Sequence, residues 1–266
     1  TTEIYTLSLH DALPICFEPL PNIRGIGKNR DSEKYNELFF RGANLAEENG
    51  LRWGAIYVVH RRSLPYAKRI LYTMTNLNAT SPPAFNMIYC FVADENSIGI
   101  TPEEYADFLG EILHLYWENP DRFGHIKPIA TIIDVIQGKG GLVCDYSGKC
   151  ANNWMYIGPQ GQTSHCGKGG DFNFIQYGNI QDVSIHDVLY HPKREPFITR
   201  QLTLTKGPCR DCRFWGICHG GCPMDAYAAY RDFNRETGVC KWIKRFVEVY
   251  LEPITGLKVN MPPPEE

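Results

Sequence analysis

The chain has 266 residues, enough for one large domain or two ordinary ones, and its 43% hydrophobic and 21% charged residues match a globular protein with a core. A net charge of -3 offers no basic field for nucleic acid, and no apolar run approaches the roughly 18 residues that span a bilayer. No basic start with a continuous apolar centre marks a signal peptide, so ten cysteines point to metal in a reducing cytoplasm rather than to a secreted disulfide scaffold.

In chain order, Thr1–Ile15 (TTEIYTLSLHDALPI) resembles the in-frame translation of a widely used sequencing adaptor, with all fifteen codons matching. The adaptor's last base falls in codon 16, so Cys16 is itself partly adaptor-encoded and its native identity is open. The expectation is that 1–15 is non-native and that the gene's N-terminal portion lies upstream; such scars are set aside in fold reasoning.

Asp31 to Asn49 reads as an amphipathic helix, with Tyr35, Leu38, Phe39, Ala43 and Ala46 at helical spacing and Gly50 as its C′ residue. Trp53–Val59 (WGAIYVV) is a continuous apolar run of the kind that forms a buried parallel strand. Ser63 is placed to cap a helix reaching about Leu77, with Pro65 in its first turn. Phe85 to Val92 reads as another buried strand. Thr101-Pro-Glu-Glu supplies a cap, an N1 proline and two acids at the positive end of a helix dipole. That helix runs to about Glu118, with Phe108, Leu109, Ile112, Leu113 and Tyr116 on one face. Strand and helix alternate from 16 to 118, an α/β pattern of barrel or open-sheet type.

The character then changes. Ile126 to Ile136 is one more helix within a bridging stretch, 119–143. A glycine-rich, cysteine-bearing region follows, with a hairpin expected where Trp154 to Ile157 and Thr163 to Cys166 flank Gly158-Pro-Gln-Gly161. Asp182 to Tyr190, Lys193 to Leu204, Met224 to Phe233 and Lys241 to Leu251 read as short helices. Residues 252–266 form a tail whose end, Met261-Pro-Pro-Pro-Glu-Glu, reads as disordered.

Eight of the ten cysteines lie in this second half: Cys144, Cys150, Cys166, Cys209, Cys212, Cys218, Cys222 and Cys240. Zinc takes four thiolates, usually as two close pairs, but only Cys209 and Cys212 make such a pair. Free buried cysteine packs as a small hydrophobe, and eight by chance within so short a stretch is implausible. Cys218-x3-Cys222-Pro223 ends like the Cys-x3-Cys-Pro run of bacterial ferredoxins, in which the last cysteine ligates the other cluster.

The array Cys150-x10-Gly161-x4-Cys166, Cys209-x2-Cys212-x5-Cys218-x3-Cys222 and then Cys240 resembles the seven-cysteine motif of SPASM domains, C-terminal extensions of radical S-adenosylmethionine (SAM) enzymes. The resemblance implies two auxiliary [4Fe-4S] clusters, one held by Cys144, Cys150, Cys166 and Cys222 and the other by Cys209, Cys212, Cys218 and Cys240. It implies that 16–118 is the remnant of a partial (β/α)6 barrel, with Phe17-Glu18-Pro19 after the fourth strand, Trp53–Val59 the fifth and Phe85 to Val92 the sixth, and that 144–251 is a small α+β SPASM domain. The intact enzyme would modify a peptide or protein side chain through a 5′-deoxyadenosyl radical, with a flavodoxin- or ferredoxin-type reductant. The alternatives are a non-enzymatic two-cluster electron carrier and a structural zinc protein.

Two features depart from that family. The Cys-x3-Cys-x2-Cys run that holds the SAM-cleaving cluster is absent, and neither Cys16 nor Cys90 has partners at that spacing. SAM and the third cluster therefore belong to the intact enzyme only, and this chain alone is expected not to cleave SAM. Sulfatase-maturing members carry an aspartate proton acceptor just after the third ligand of the first auxiliary cluster. Here Gly167 follows Cys166, and Asp171 is the substitute candidate, which moves the reading toward a peptide maturase. Glu18 is a candidate for the SAM ribose, and His60, after the fifth strand, for substrate or SAM, although a structural histidine at a strand end is as good a reading. His165 and His219 adjoin cysteines and are placed to tune a cluster by hydrogen bonds. Lys149, Lys168, Arg210 and Arg213 would offset cluster charge, or are ordinary surface. The runs Gly138 to Gly141 and Gly167 to Gly170 lack the phosphate-loop form and read as loops skirting a cluster.

Overall fold

The computed structural model describes residues 13–88, 98–141 and 144–264. The chain divides into two compact units, Thr1–Thr131 with Val249–Thr255, and Ile132–Glu248 with Gly256–Glu266.

The first unit is built on three parallel strands in sequential order, β1 (Leu13–Cys16), β2 (Trp53–Val59) and β3 (Ser81–Met87). Cys16 lies opposite Ile56, and Val59 opposite Met87. The β1 strand thus falls largely on residues that the adaptor reading sets outside the native chain. Among the described residues β1 pairs with β2 alone, an edge position at which a proline such as Pro14 is tolerated. Helix α1 (Ser32–Glu48) follows β1, capped by Asp31, whose Oδ1 accepts from the Lys34 N–H at 2.9 Å; Gly50 takes the left-handed φ of 67° that stops the helix. Within the expected stripe Ala43 and Ala46 are buried, whereas Leu38 is exposed. On β2, Trp53, Ala55, Tyr57 and Val59 are buried and the alternate residues half-buried, as expected for a central strand covered on both faces. Phe17 stacks on Phe39 at 4.1 Å, and Phe39 meets Trp53 edge-on at 6.0 Å, joining α1 to the sheet.

Two expectations in this unit are corrected. Ser63 is not the helix cap. It sits inside a 3-10 stretch, Arg61–Tyr66, and its hydroxyl donates back to the His60 carbonyl at 2.6 Å; α2 (Ala67–Thr75) starts only afterwards. The third strand begins at Ser81 rather than Phe85 and includes Pro82 and Pro83. These prolines lack N–H donors, but the Pro83 carbonyl accepts from the Lys127 N–H at 3.0 Å, so the strand remains paired. The remainder of the expected strand, with Cys90, lies outside the described residues. Helix α3 (Pro102–Glu118) has the expected cap: Thr101 and Glu104 form a reciprocal capping box, and Phe108, Leu109, Ile112, Leu113 and Tyr116 are all buried.

The second unit begins within α4 (Ile129–Ile136), which is shorter than the expected Ile126 to Ile136. Its elements are short: α5 (Cys150–Asn153), β4 (Tyr156–Ile157), β5 (Gln162–Ser164), α6 (Gly167–Asp171), β6 (Gly178–Asn179), α7 (Ile185–Leu189), α8 (Glu195–Thr205), α9 (Trp215–Cys218), α10 (Pro223–Tyr230) and α11 (Lys241–Arg245). The expected hairpin forms between β4 and β5, and β6 adds an unforeseen third antiparallel strand. The second glycine-lysine run is a helical turn rather than a loop. The tail is not disordered as far as Pro264: Met261 N donates to the Arg213 carbonyl and Gly216 N to the Met261 carbonyl, both at 2.8 Å, and Val259 is buried. Among the described residues no helix is long and apolar enough to cross a membrane.

Candidate metal centre

Short helices and tight turns carry the cysteines of the second unit. Cys209 follows the end of α8, Cys212 lies one turn on, Cys218 ends α9, Cys222 caps α10 and Cys240 caps α11. Cys209, Cys212, Cys218 and Cys240 line one cavity together with Phe214, Trp215 and Ile243. Burial, and then the neighbouring Cys212 and Cys240, push the Cys209 thiol up to about 12; burial likewise raises Cys218 and Cys240. Among the described residues no group of three or more His, Cys, Asp or Glu side chains stands close enough to hold a metal ion.

The other set is brought together less completely. Cys166 and Cys222 pack on one apolar cluster with Ala151, Ile175, Tyr177 and Met224. Cys150 lies 3.2 Å from His165 Nε2. Cys144, with a positive φ of 53°, is exposed on a 3-10 turn, Cys144–Tyr146, that packs beside α5. Two glycines make the turn between the sets possible. Gly220 and Gly221 have φ of 79° and 64°, a region where a side chain is strained; on one side of them Cys218 lines the cavity, and on the other Cys222 packs on the apolar cluster with Cys166.

Cations surround these cysteines. Lys168 Nζ donates to Cys222 Sγ at 3.6 Å and to Asp225 Oδ1 at 2.9 Å. Arg200 is 3% exposed, and its guanidinium donates to the Gly220 carbonyl at 2.8 Å, between Cys218 and Cys222. Arg194 is 5% exposed; one of its nitrogens donates to the Ala151 carbonyl, and its Nε and Nη1 have no acceptor among the described residues. Sequence reading missed both arginines. The available signal was position: Phe197, Arg200 and Leu204 are the buried residues of α8, so Arg200 occupies the apolar stripe of its helix.

The remaining candidates separate by place. His165 is fully buried and stacks on Phe197 at 3.9 Å; burial first, and then the Arg194 charge, pull its pKa down to about 4. His219 Nδ1 lies 2.7 Å from the Tyr146 carbonyl oxygen, and burial lowers its pKa. Asp171, at the end of α6, accepts from the Tyr156 hydroxyl at 2.8 Å, which raises the Tyr156 pKa. Lys149 and Arg210 are exposed, and Arg213 is held by the Val259 carbonyl at 2.8 Å and lies over the Phe214 ring. In the first unit Glu18 and His60, just beyond the C-terminal ends of β1 and β2, meet each other: Oε2 and Nε2 are 2.8 Å apart and both residues are buried. Glu18 Oε1 also accepts from Leu20 N at 2.9 Å and from the Tyr57 hydroxyl at 3.4 Å, while His60 Nδ1 has no partner among the described residues.

No protein-family model matches the chain. Its sequence is 21% identical over 223 residues to a serine-type anaerobic sulfatase-maturating enzyme of Bacteroides thetaiotaomicron, covering 77% of this chain and 53% of the relative. The chain thus spans about half the length of that curated relative. Native anSMEcpe with bound AdoMet is similar in structure, with a TM-score of 0.68 and 16% identity over 91% of this chain and 67% of that one. Native anSMEcpe with bound AdoMet and Cp18Cys peptide gives the same TM-score and identity, over 91% and 68%. The chain is therefore similar in sequence to a sulfatase-maturating enzyme and shares the fold of the AdoMet-bound anSMEcpe structures.

Proposed function

We propose that this chain is the cluster-bearing part of a radical SAM enzyme that modifies a peptide or protein side chain, and that it holds two auxiliary [4Fe-4S] clusters. The observation that carries this reading is the single cavity lined by Cys209, Cys212, Cys218 and Cys240. A tetrahedral zinc with bonds of about 2.3 Å would draw four sulfurs to about 3.8 Å of one another. Zinc sites of that kind usually pair their thiolates closely, and only Cys209 and Cys212 stand at such a spacing here, which favours a polynuclear cluster. Charge supports the same reading. Arg194 and Arg200 are buried guanidiniums with no carboxylate partner among the described residues, and cluster-bound thiolates would supply their counter-charge.

Cys144, Cys150, Cys166 and Cys222 would hold the first cluster, and Cys209, Cys212, Cys218 and Cys240 the second. When bound, such clusters supply one-electron transfer at potentials set by burial and by hydrogen bonds to sulfur. The chain itself keeps water out with Phe214, Trp215 and Ile243 and places positive charge against the sulfurs with Lys168 and Arg200. Asp171, oriented by Tyr156, is the candidate proton acceptor. The sulfatase-maturating relative favours a protein substrate, whereas Gly167 in place of the aspartate favours a ribosomally made precursor peptide. A peptide or protein side chain is the substrate class common to both.

Anaerobic reconstitution with iron and sulfide tests the proposal. It predicts about eight irons per chain and a brown chromophore; stoichiometric zinc without iron uptake overturns it. The reduced chain alone should form no 5′-deoxyadenosine from SAM.

A further inference from the structure

We propose that Arg200 is a positioning residue shared by the two cluster sites: it fixes the segment that joins them, and its charge favours the reduced state of both. The proposal rests on the cluster reading above and assigns a role to a residue outside the cysteine array.

Geometry comes first. Arg200 Nη2 donates to the Gly220 carbonyl at 2.8 Å and to the Gly221 carbonyl at 3.2 Å, the two glycines between Cys218 and Cys222. Nη1 donates to the carbonyls of Phe233 and Arg235, on the stretch leading toward Cys240. One planar fork therefore ties together the backbone that carries ligands of both sets. Lysine, with a single nitrogen on a flexible stem, lacks that pre-organised geometry.

Charge follows. The guanidinium is 3% exposed and no carboxylate pairs with it among the described residues. The two carbonyls that Nη2 holds lie between Cys218 of one set and Cys222 of the other, so the charge stands beside ligands of both. Lys168 differs on both counts. It is a single ammonium on a flexible stem rather than a fork, and Asp225 at 2.9 Å offsets its charge. A reduced cluster carries one more negative charge than an oxidised one. A fixed, desolvated cation beside both sites therefore raises both potentials and weakens the repulsion between two reduced clusters.

The experiment is a redox titration, followed by electron paramagnetic resonance, of the full reconstituted chain and its Arg200→Gln and Arg200→Lys variants. Arg200→Gln should move both cluster potentials downward together, with the iron content near that of the parent chain. Arg200→Lys should bring both back toward the parent values. If neither potential moves in Arg200→Gln, or only one moves, or Arg200→Lys falls as far, the inference is wrong. If Arg200→Gln fails to take up iron, Arg200→Lys decides: both potentials must stay near the parent values, and a fall in either overturns the role of charge. A parent chain that takes up zinc instead of iron takes down the cluster reading itself, before Arg200 is tested.

Discussion

Gly221→Ala tests whether the turn between Cys218 and Cys222 is as constrained as its geometry implies. Two penalties add. At φ 64° an L-residue is left-handed, which costs about 1–2 kcal/mol. A Cβ built there would lie 2.5 Å from Thr237 Cγ2 and 2.7 Å from Thr237 Cβ, and overpacking of this kind costs about 1–3 kcal/mol. The sum is about 2–5 kcal/mol, and relief by shifting the turn would pull the Gly221 carbonyl off Arg200. The assay is a urea transition of the reconstituted chain, with iron per chain measured alongside. Thr237→Gly provides the internal check, because it removes both offending carbons. Against that background Gly221→Ala should cost only the strain of about 1–2 kcal/mol, so the double-mutant cycle should show coupling of about 1–3 kcal/mol. Unchanged stability and iron content in Gly221→Ala, or a cycle without coupling, refutes the reasoning.

Two glycines of the first unit should respond oppositely to alanine. Gly110→Ala, whose Cβ would sit 2.4 Å from the Tyr250 ring, should destabilise by about 1–3 kcal/mol, whereas Gly42→Ala on α1, with nothing within 4 Å, should gain up to about 1 kcal/mol of helix propensity; paired urea transitions check the signs. Thr101→Ala removes the α3 capping box and should cost about 1 kcal/mol, read as a lowered melting temperature. Asp171→Asn should lower the pH at which Tyr156 ionises, followed by ultraviolet absorbance at alkaline pH, because the carboxylate is what holds that phenol up. Chelating the iron should increase hydrogen exchange across Ile132–Glu248 and leave the sheet of the first unit protected.

The parts legible in the sequence were those with a local physical cause. The Asp31 and Thr101 caps, the Gly50 stop and the buried stripe of α3 each follow from a few adjacent residues. What escaped depended on distant partners. β3 reaches back through Pro82 and Pro83 because Lys127, more than forty positions on, supplies the matching hydrogen bonds. Ser63 failed as a cap because its hydroxyl found the His60 carbonyl instead. The tail looked disordered by composition, but Arg213 and Gly216 give its backbone partners. The cysteine spacing announced metal, yet only the fold shows Cys209, Cys212, Cys218 and Cys240 around one space, with Arg200 tied to the turn that links them to Cys222.

That arrangement has a consequence for how the second unit is held together. Burial raises the Cys209, Cys218 and Cys240 thiols and so favours their neutral form, which offers no counter-charge to Arg194 and Arg200. A guanidinium keeps its proton even when buried, and a buried charge without a partner costs several kcal/mol. Carbonyl bonds satisfy the donors of Arg200 but not its charge, and Arg194 lacks acceptors at two of its nitrogens. Metal loading changes the balance because thiols ligate as thiolates and release their protons. The same event that fills the sites supplies the anions that the arginines need. With a core divided among short helices and a hairpin of two- and three-residue strands, the second unit has little regular structure to offset that charge otherwise. The proposed function would thus make folding and cofactor loading of the second unit one linked equilibrium, with the two arginines as the residues through which the linkage acts.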